Sequence, residues 1–293
     1  MPDFFLSARS TLCYHLVTKM ATEATPGFHS NRIFSNERKR DIALSILERY
    51  TGSLVGDFQK QILLTNFSHY VKQFRKITGC KKATVGSAMS AIHSEKHGVS
   101  LVNFNIGAPT CALIIEVLAT VEPKAVLLLG MCGGLHRSLK VGDFILPMAA
   151  IRGEGVTSHF MPADVPSLPT FKVQKFVSEI LVENKIEYRT GVVHTTDYRF
   201  WEFNPGFKEK LHSQRAIGIE METAALFTAG FASKVANGAL LLVSDLPLRA
   251  DGIKTKASAK KVFQEYTDLH LEIGIKAMSE IAVRGEKIRH YQW

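Results

Sequence analysis

The stretch Ala125-Val126-Leu127-Leu128-Leu129-Gly130-Met131-Cys132-Gly133-Gly134-Leu135 decides the reading of the fold. Its first five residues are apolar without interruption and end on a glycine. That is the pattern of a short strand buried on both faces, as in a sheet covered by helices. Three glycines in the next five residues let backbone approach a flat ligand closely; a simple turn reads equally well. The spacing is not that of the dinucleotide fingerprint, and no Gly-Lys-Ser/Thr follows, so a phosphate-cradling loop is excluded.

Outward from this stretch the same kind of run recurs, at residues 61–64, 101–106, 144–151, 191–194, 216–219 and 239–243. Helical patterns lie between them, at residues 111–121, 171–182, 221–231 and 257–283. In 171–182, Val173, Phe176, Val177, Ile180 and Leu181 share one face. Residues from Asn36 onward open with an Asn-capped amphipathic helix. Strand alternating with helix predicts one α/β domain over residues 36–293, with a central, mostly parallel or mixed sheet flanked by helices. Residues 1–35 carry neither a basic start with an apolar run nor a regular pattern, and are expected to be a poorly ordered extension without a function of their own.

Composition bounds the function. The chain has 293 residues, 46% of them hydrophobic and 22% charged, which is ordinary for a globular protein. No apolar run approaches the roughly 20 residues of a membrane span. Thirty-six Lys and Arg against 27 Asp and Glu give a net charge of +9. The basic residues are scattered rather than striped, so neither nucleic acid nor membrane is expected as a partner, and a small anionic substrate fits the surplus. Four cysteines form no CxxC pair and no metal-ligand spacing, so no metal, no cofactor and a reducing, cytoplasmic setting are expected.

In open α/β folds ligands bind at the carboxyl ends of strands, so the residues just past each run are the candidates. After 101–106 comes Gly107-Ala108-Pro109-Thr110, whose backbone N–H groups open a helix and suit an anion or a polarised water. After the central run come Cys132 and Gly133. After 216–219 come Glu220-Met221-Glu222-Thr223: a carboxylate for a sugar diol, with Met221 against the sugar, or ordinary acid enrichment in a first helical turn. After 239–243 come Ser244-Asp245. An aspartate ending a buried strand is desolvated, which raises its pKa and suits a proton donor; an N-cap or turn aspartate is the plain alternative.

Taken together these junctions form a series. Gly-x-Cys-Gly-Gly-Leu, then Gly142-Asp143 with Ile145-Leu146-Pro147, then Glu-Met-Glu, then Val-Ser-Asp resembles the nucleoside phosphorylase and nucleosidase superfamily. Within it, four stretches resemble the AMP nucleosidases. They are Ile62-Leu63-Leu64-Thr65-Asn66-Phe67, Ala150-Ile151-Arg152-Gly153-Glu154-Gly155, Thr195-Thr196 with Arg199, Trp201 and Glu202, and Leu240-Leu241-Leu242-Val243-Ser244-Asp245. The likeness runs from about Glu48 onward and is to a short form, without the N-terminal regulatory domain of longer members.

The resemblance implies hydrolysis of the N-glycosidic bond of AMP to adenine and ribose 5-phosphate. Asp245 is then the proton donor to the purine, oriented by Ser244, with Lys254 as a second group for proton delivery or a plain loop lysine. Glu222 receives the ribose hydroxyls beside Met221, and Phe200 or Trp201 stacks on adenine. Arg152 or Arg199, with Thr157 or Ser158, binds the 5′-phosphate.

Water rather than inorganic phosphate is implied as nucleophile. The arginines that hexameric purine phosphorylases use fall here on Leu127-Leu128-Leu129 and on Asn66-Phe67-Ser68-His69-Tyr70, which lack arginine. Asn66 and His69 are candidates to position that water. The resemblance also implies a homo-oligomer, a hexamer or trimer of dimers. The alternatives are a purine or uridine phosphorylase or a methylthioadenosine-type nucleosidase of the same fold, and a non-catalytic nucleotide-binding protein.

Overall fold

Each of the seven apolar runs becomes a strand, and two further strands extend the sheet at one edge. The computed structural model describes residues 36–284; the extension expected at 1–35 lies outside them. By its contacts the chain divides between Ile42 and Ala43, and all strands lie in the second unit. In chain order the strands are β1 (Gln61–Thr65), β2 (Thr84–Val85), β3 (Ser90–Ser94), β4 (Val99–Asn103), β5 (Ala125–Gly134), β6 (Phe144–Gly153), β7 (Tyr188–Thr196), β8 (Gly218–Glu220) and β9 (Asn237–Asp245). The helices are α1 (Asn36–Thr51), α2 (Ser68–Thr78), α3 (Ala108–Leu118), α4 (Phe171–Glu183), α5 (Pro205–Gln214), α6 (Thr223–Ala232), α7 (Lys256–Glu265) and α8 (Thr267–Arg284).

β1 lies between β4 and β5 and runs parallel to both. The short β2 and β3 add antiparallel pairings beyond β4. On the other side the sheet does not stay open, as the strand-end argument assumed. β5 pairs in parallel with β9 and, at Gly133 and Gly134, antiparallel with β8. β8 pairs with β7, β7 with β6, and β6 returns antiparallel to β9 through Phe144 and Ile145. The five strands β5, β8, β7, β6 and β9 therefore close into a ring.

Ring closure corrects the reading of the glycines. Residues 130–134 continue β5 rather than ending it. A Cβ on Gly130 would stand 2.9 Å from Leu241 Cδ2, and one on Gly134 would stand 2.9 Å from Val243 Cγ1. Both contacts are closer than a side chain tolerates. The space beside these two glycines is filled by Leu241 and Val243 of β9, and neither glycine lines the cavity described below.

Alternate side chains of the strands feed two apolar layers. Ala239, Leu241 and Val243 face the layer under α3 and α6. Leu240 and Leu242 face the layer under α2, α4 and α8. Each fully buried Leu contributes about 1.5–3 kcal/mol, which is why the central strands read as unbroken apolar runs. His270 of α8 ties this second layer together. Its Nε2–H donates to the Leu240 carbonyl at 2.9 Å, and its Nδ1 accepts from the Tyr70 hydroxyl at 2.7 Å. Burial pushes its pKa down to about 4, so the imidazole is neutral there. The single helix expected over 257–283 is two helices, broken at Tyr266, whose ring packs where Gly142 has no side chain.

Candidate active site

The turn between β8 and α6 holds two buried acids with different work. Glu220 accepts hydrogen bonds from the backbone N–H groups of Glu222 (2.7 Å) and Thr223 (2.6 Å) and from the Thr195 hydroxyl. Thr195 Oγ1 in turn accepts from the Ala224 N–H at 2.8 Å. Glu220 thus satisfies the orphan donors at the start of α6 and complements its dipole. Glu222 is left to face the cavity. Its Oε1 accepts the Gly107 N–H at 2.8 Å, and the Asn66 side chain hydrogen-bonds it as well. Burial, and after it the neighbouring Glu220 charge, push the Glu222 pKa up to about 8 against those donors.

The second acid comes from the end of β9. The β5–β9 register slips between Cys132 and Gly133, so that Cys132 faces Val243 while Gly133 faces Asp245. Ser244 is the extra residue, and such a bulge re-aims the side chains around it. Ser244 donates to Asp245 Oδ1 at 2.7 Å. Burial raises the Asp245 pKa; Ser244, Lys254 and Arg199 pull it down, and Glu202 pushes it up. Lys254 has its ammonium 3.7 Å from Met131 Sδ and over the Phe67 ring, and burial lowers its pKa.

Both acids line a single cavity of about 170 Å³. Met221, Ser244, Cys132, Gly133, Arg199, Trp201 and Lys254 line it with them. Cys132 is buried and its thiol pushed well up, so it is a wall rather than a nucleophile.

Three expected residues are placed otherwise. Gly107 does not line the cavity, and the anion its N–H meets is the Glu222 carboxyl group itself. Phe200 is 67% exposed and off the cavity, whereas Trp201 is 4% exposed and packs on Phe207. Arg152 points into the loop that follows β6. Its guanidinium donates to Thr157 Oγ1 and to the carbonyls of Thr157, Met161, Pro162 and Val165. A guanidinium has five N–H donors, so none is left for a phosphate. Thr157 is engaged in the same cluster, and Ser158 donates to the Gly155 carbonyl. Of the water-positioning candidates, Asn66 lines the cavity, while His69 packs on the Phe263 ring away from it.

Phe67, Ile106, Met131, Tyr198 and Pro247 also line the cavity and were not singled out by the sequence. Phe67, Ile106 and Pro247 stand just past strand ends, so the strand-end rule had the means to find them. Met131 was hidden because its segment reads as a turn and is strand.

The sequence model of the Phosphorylase superfamily matches residues 61–279. The chain belongs to the phosphorylase superfamily. Within that superfamily it is similar to the AMP nucleosidase of Escherichia coli K12, at 29% identity over 93% of this chain and 66% of that enzyme. The chain thus spans slightly less than two thirds of that relative. Among solved structures, the AMP nucleosidase from Bacteroides thetaiotaomicron VPI-5482 superposes with a TM-score of 0.75 at 39% identity, covering 84% of this chain and 99% of that one. The purine nucleoside phosphorylase from Toxoplasma gondii shares the superfamily fold, at a TM-score of 0.67 and 21% identity over 79% of this chain and 95% of that one. Among the described residues of this superfamily member, no helix is long and apolar enough to cross a membrane, and no group of three or more His, Cys, Asp or Glu side chains is placed to hold a metal ion.

Proposed function

We propose that this protein hydrolyses the N-glycosidic bond of AMP, releasing adenine and ribose 5-phosphate. The carrying observation is that Glu222, from the turn between β8 and α6, and Asp245, from the end of β9, line one cavity. As the bond breaks, the sugar becomes oxocarbenium-like and the purine gains negative charge. Asp245 gives its proton to the purine, with Ser244 orienting the carboxyl group and Lys254 beside it for proton delivery. Glu222 receives the ribose 2′ and 3′ hydroxyls; burial favours its protonated form, and the positive charge growing on the sugar favours the carboxylate. Such charge-assisted hydrogen bonds contribute about 1.5–3 kcal/mol each. Met221 packs on the sugar and Trp201 on the base.

Water is the nucleophile in this reading. The groups that act on Glu222 are Glu220, the Gly107 and Met221 backbone and Asn66, with no cation among them. Both cations that line the cavity, Arg199 and Lys254, act on Asp245 instead. A phosphate dianion beside the sugar would be desolvated among acids. Asn66 positions the water. Arg199, half exposed and with one donor on Glu202, is the guanidinium left for the 5′-phosphate. The reading carries a cytoplasmic homo-oligomer, a hexamer or trimer of dimers, which light scattering on the purified protein checks.

The test is chromatography of products from AMP, adenosine, IMP, methylthioadenosine and uridine, each with and without phosphate. Adenine and ribose 5-phosphate from AMP, independent of phosphate, is the expected result. Base release only when phosphate is present would replace the hydrolase by a phosphorylase.

A further inference from the structure

The chemistry above leaves one buried acid of the cavity unused. The Glu202 side chain is 3% exposed, yet it lines the cavity. Its Oε1 pairs with Arg199 Nη1, while Oε2 is buried with no hydrogen-bond partner. A buried carboxylate oxygen without a donor is costly and uncommon, and a ligand that donates to it removes the cost. Glu202 also acts electrostatically on Asp245, and both residues line the same cavity.

The purine edge that carries N7 decides which donor fits. A 6-aminopurine presents there an acceptor, N7, and a donor, the 6-amino group; a 6-oxopurine presents two acceptors. A protonated Asp245 is a donor for N7. Glu202 Oε2 is an unpartnered acceptor on a residue that lines the same cavity. That donor–acceptor pair complements the 6-aminopurine and sets two oxygens face to face with a 6-oxopurine. We propose that Glu202 Oε2 accepts a hydrogen bond from the 6-amino group of the base, and so selects 6-aminopurine over 6-oxopurine nucleotides. The inference rests on the reading of Asp245 as the group that meets N7.

Glu202→Gln tests it, because the amide offers a donor where the carboxylate offered an acceptor. Two measurements are made: kcat/KM for AMP and for IMP, and the calorimetric Kd of adenine and of hypoxanthine. In the unchanged protein adenine binds more tightly than hypoxanthine. In the variant the AMP-to-IMP ratio of kcat/KM falls by about 100-fold or more, and adenine binding weakens about 10- to 100-fold while hypoxanthine binding does not. Equal losses for both nucleotides and both bases would reduce Glu202 to a support for Arg199 and overturn the proposal. Equal affinity of the unchanged protein for the two bases would overturn it without recourse to a variant. Selective adenine binding that Glu202→Gln abolishes, in a protein that cleaves no nucleotide, would sustain this inference and remove the hydrolase reading instead.

Discussion

The two acids of the cavity present the same functional group in opposite surroundings. Glu222 sits among amide donors with a second acid, Glu220, as its charged neighbour. Asp245 sits with a hydroxyl and two cations, Lys254 and Arg199, opposed by Glu202. Burial raises the pKa of both, so burial does not distinguish them; the neighbouring charges do. No cation is among the groups that act on Glu222, and in the proposed reaction the positively charged sugar supplies one. Asp245 has cations at hand, which favour its carboxylate once the proton has gone to the base. In the proposed hydrolysis, each acid is placed so that the charge arising in the reaction stabilises the form it must take.

The comparison breaks most visibly if the base end is disarmed. Asp245→Asn lowers kcat for AMP by about 10³-fold, within the range of a lost general acid, while the Kd for AMP changes only a few-fold. Turnover that survives the substitution would remove Asp245 from the donor role. At the sugar end, Glu222→Gln lowers kcat/KM by about 10²-fold through the lost charge-assisted bonds.

Glu222→Gln also alters stability with pH. The unfolded chain releases this proton near 4.5 and the folded protein near 8. The folded state therefore holds more protons between those values, and Glu222 costs stability progressively as pH rises through that window, by at most about 1.4 kcal/mol per unit. The variant lacks that slope. Its Tm exceeds that of the unchanged protein by more at pH 8 than at pH 5, and parallel Tm curves would refute the raised pKa.

Two arginines sharpen the comparison further. Arg152→Ala lowers Tm, with a cost of about 2–3 kcal/mol for the freed carbonyls of the 157–165 loop, and leaves the KM ratio of AMP to adenosine unchanged. Arg199→Ala raises KM for AMP about 10-fold and leaves adenosine little affected; an equal rise for both substrates would separate Arg199 from the phosphate. The smallest effect is at Ser244. Ser244→Ala removes a single hydrogen bond to Asp245 and lowers kcat about 2- to 5-fold.

Much of the fold was legible along the chain. Strands buried on two faces must be apolar at every position, so runs such as 125–129 and 239–243 announced themselves. Strand β3 escaped because Ser90, His93 and Ser94 interrupt its apolar residues, and β2 because two residues carry no period. The candidate site was legible in part, since both acids stand where apolar runs end. Arg152 was misplaced because a guanidinium beside threonines reads alike whether it waits for phosphate or is saturated by a nearby loop.

By itself the sequence determined the buried segments, their order and the two acids that terminate them, because hydrophobic periodicity is a local property of neighbouring residues. The tertiary structure alone decided that five strands close into a ring, that Asp245 and Glu222 line one cavity, and that Glu220 caps a helix while Glu222 faces the cavity. Those outcomes depend on partners remote in the chain, such as the Gly107 amide 115 residues from Glu222 and the Cys132 carbonyl 112 residues from Ser244. Hydrogen bonds and Coulomb forces act over a few ångströms of space, whatever the distance along the chain, so only the folded chain brings such groups within reach.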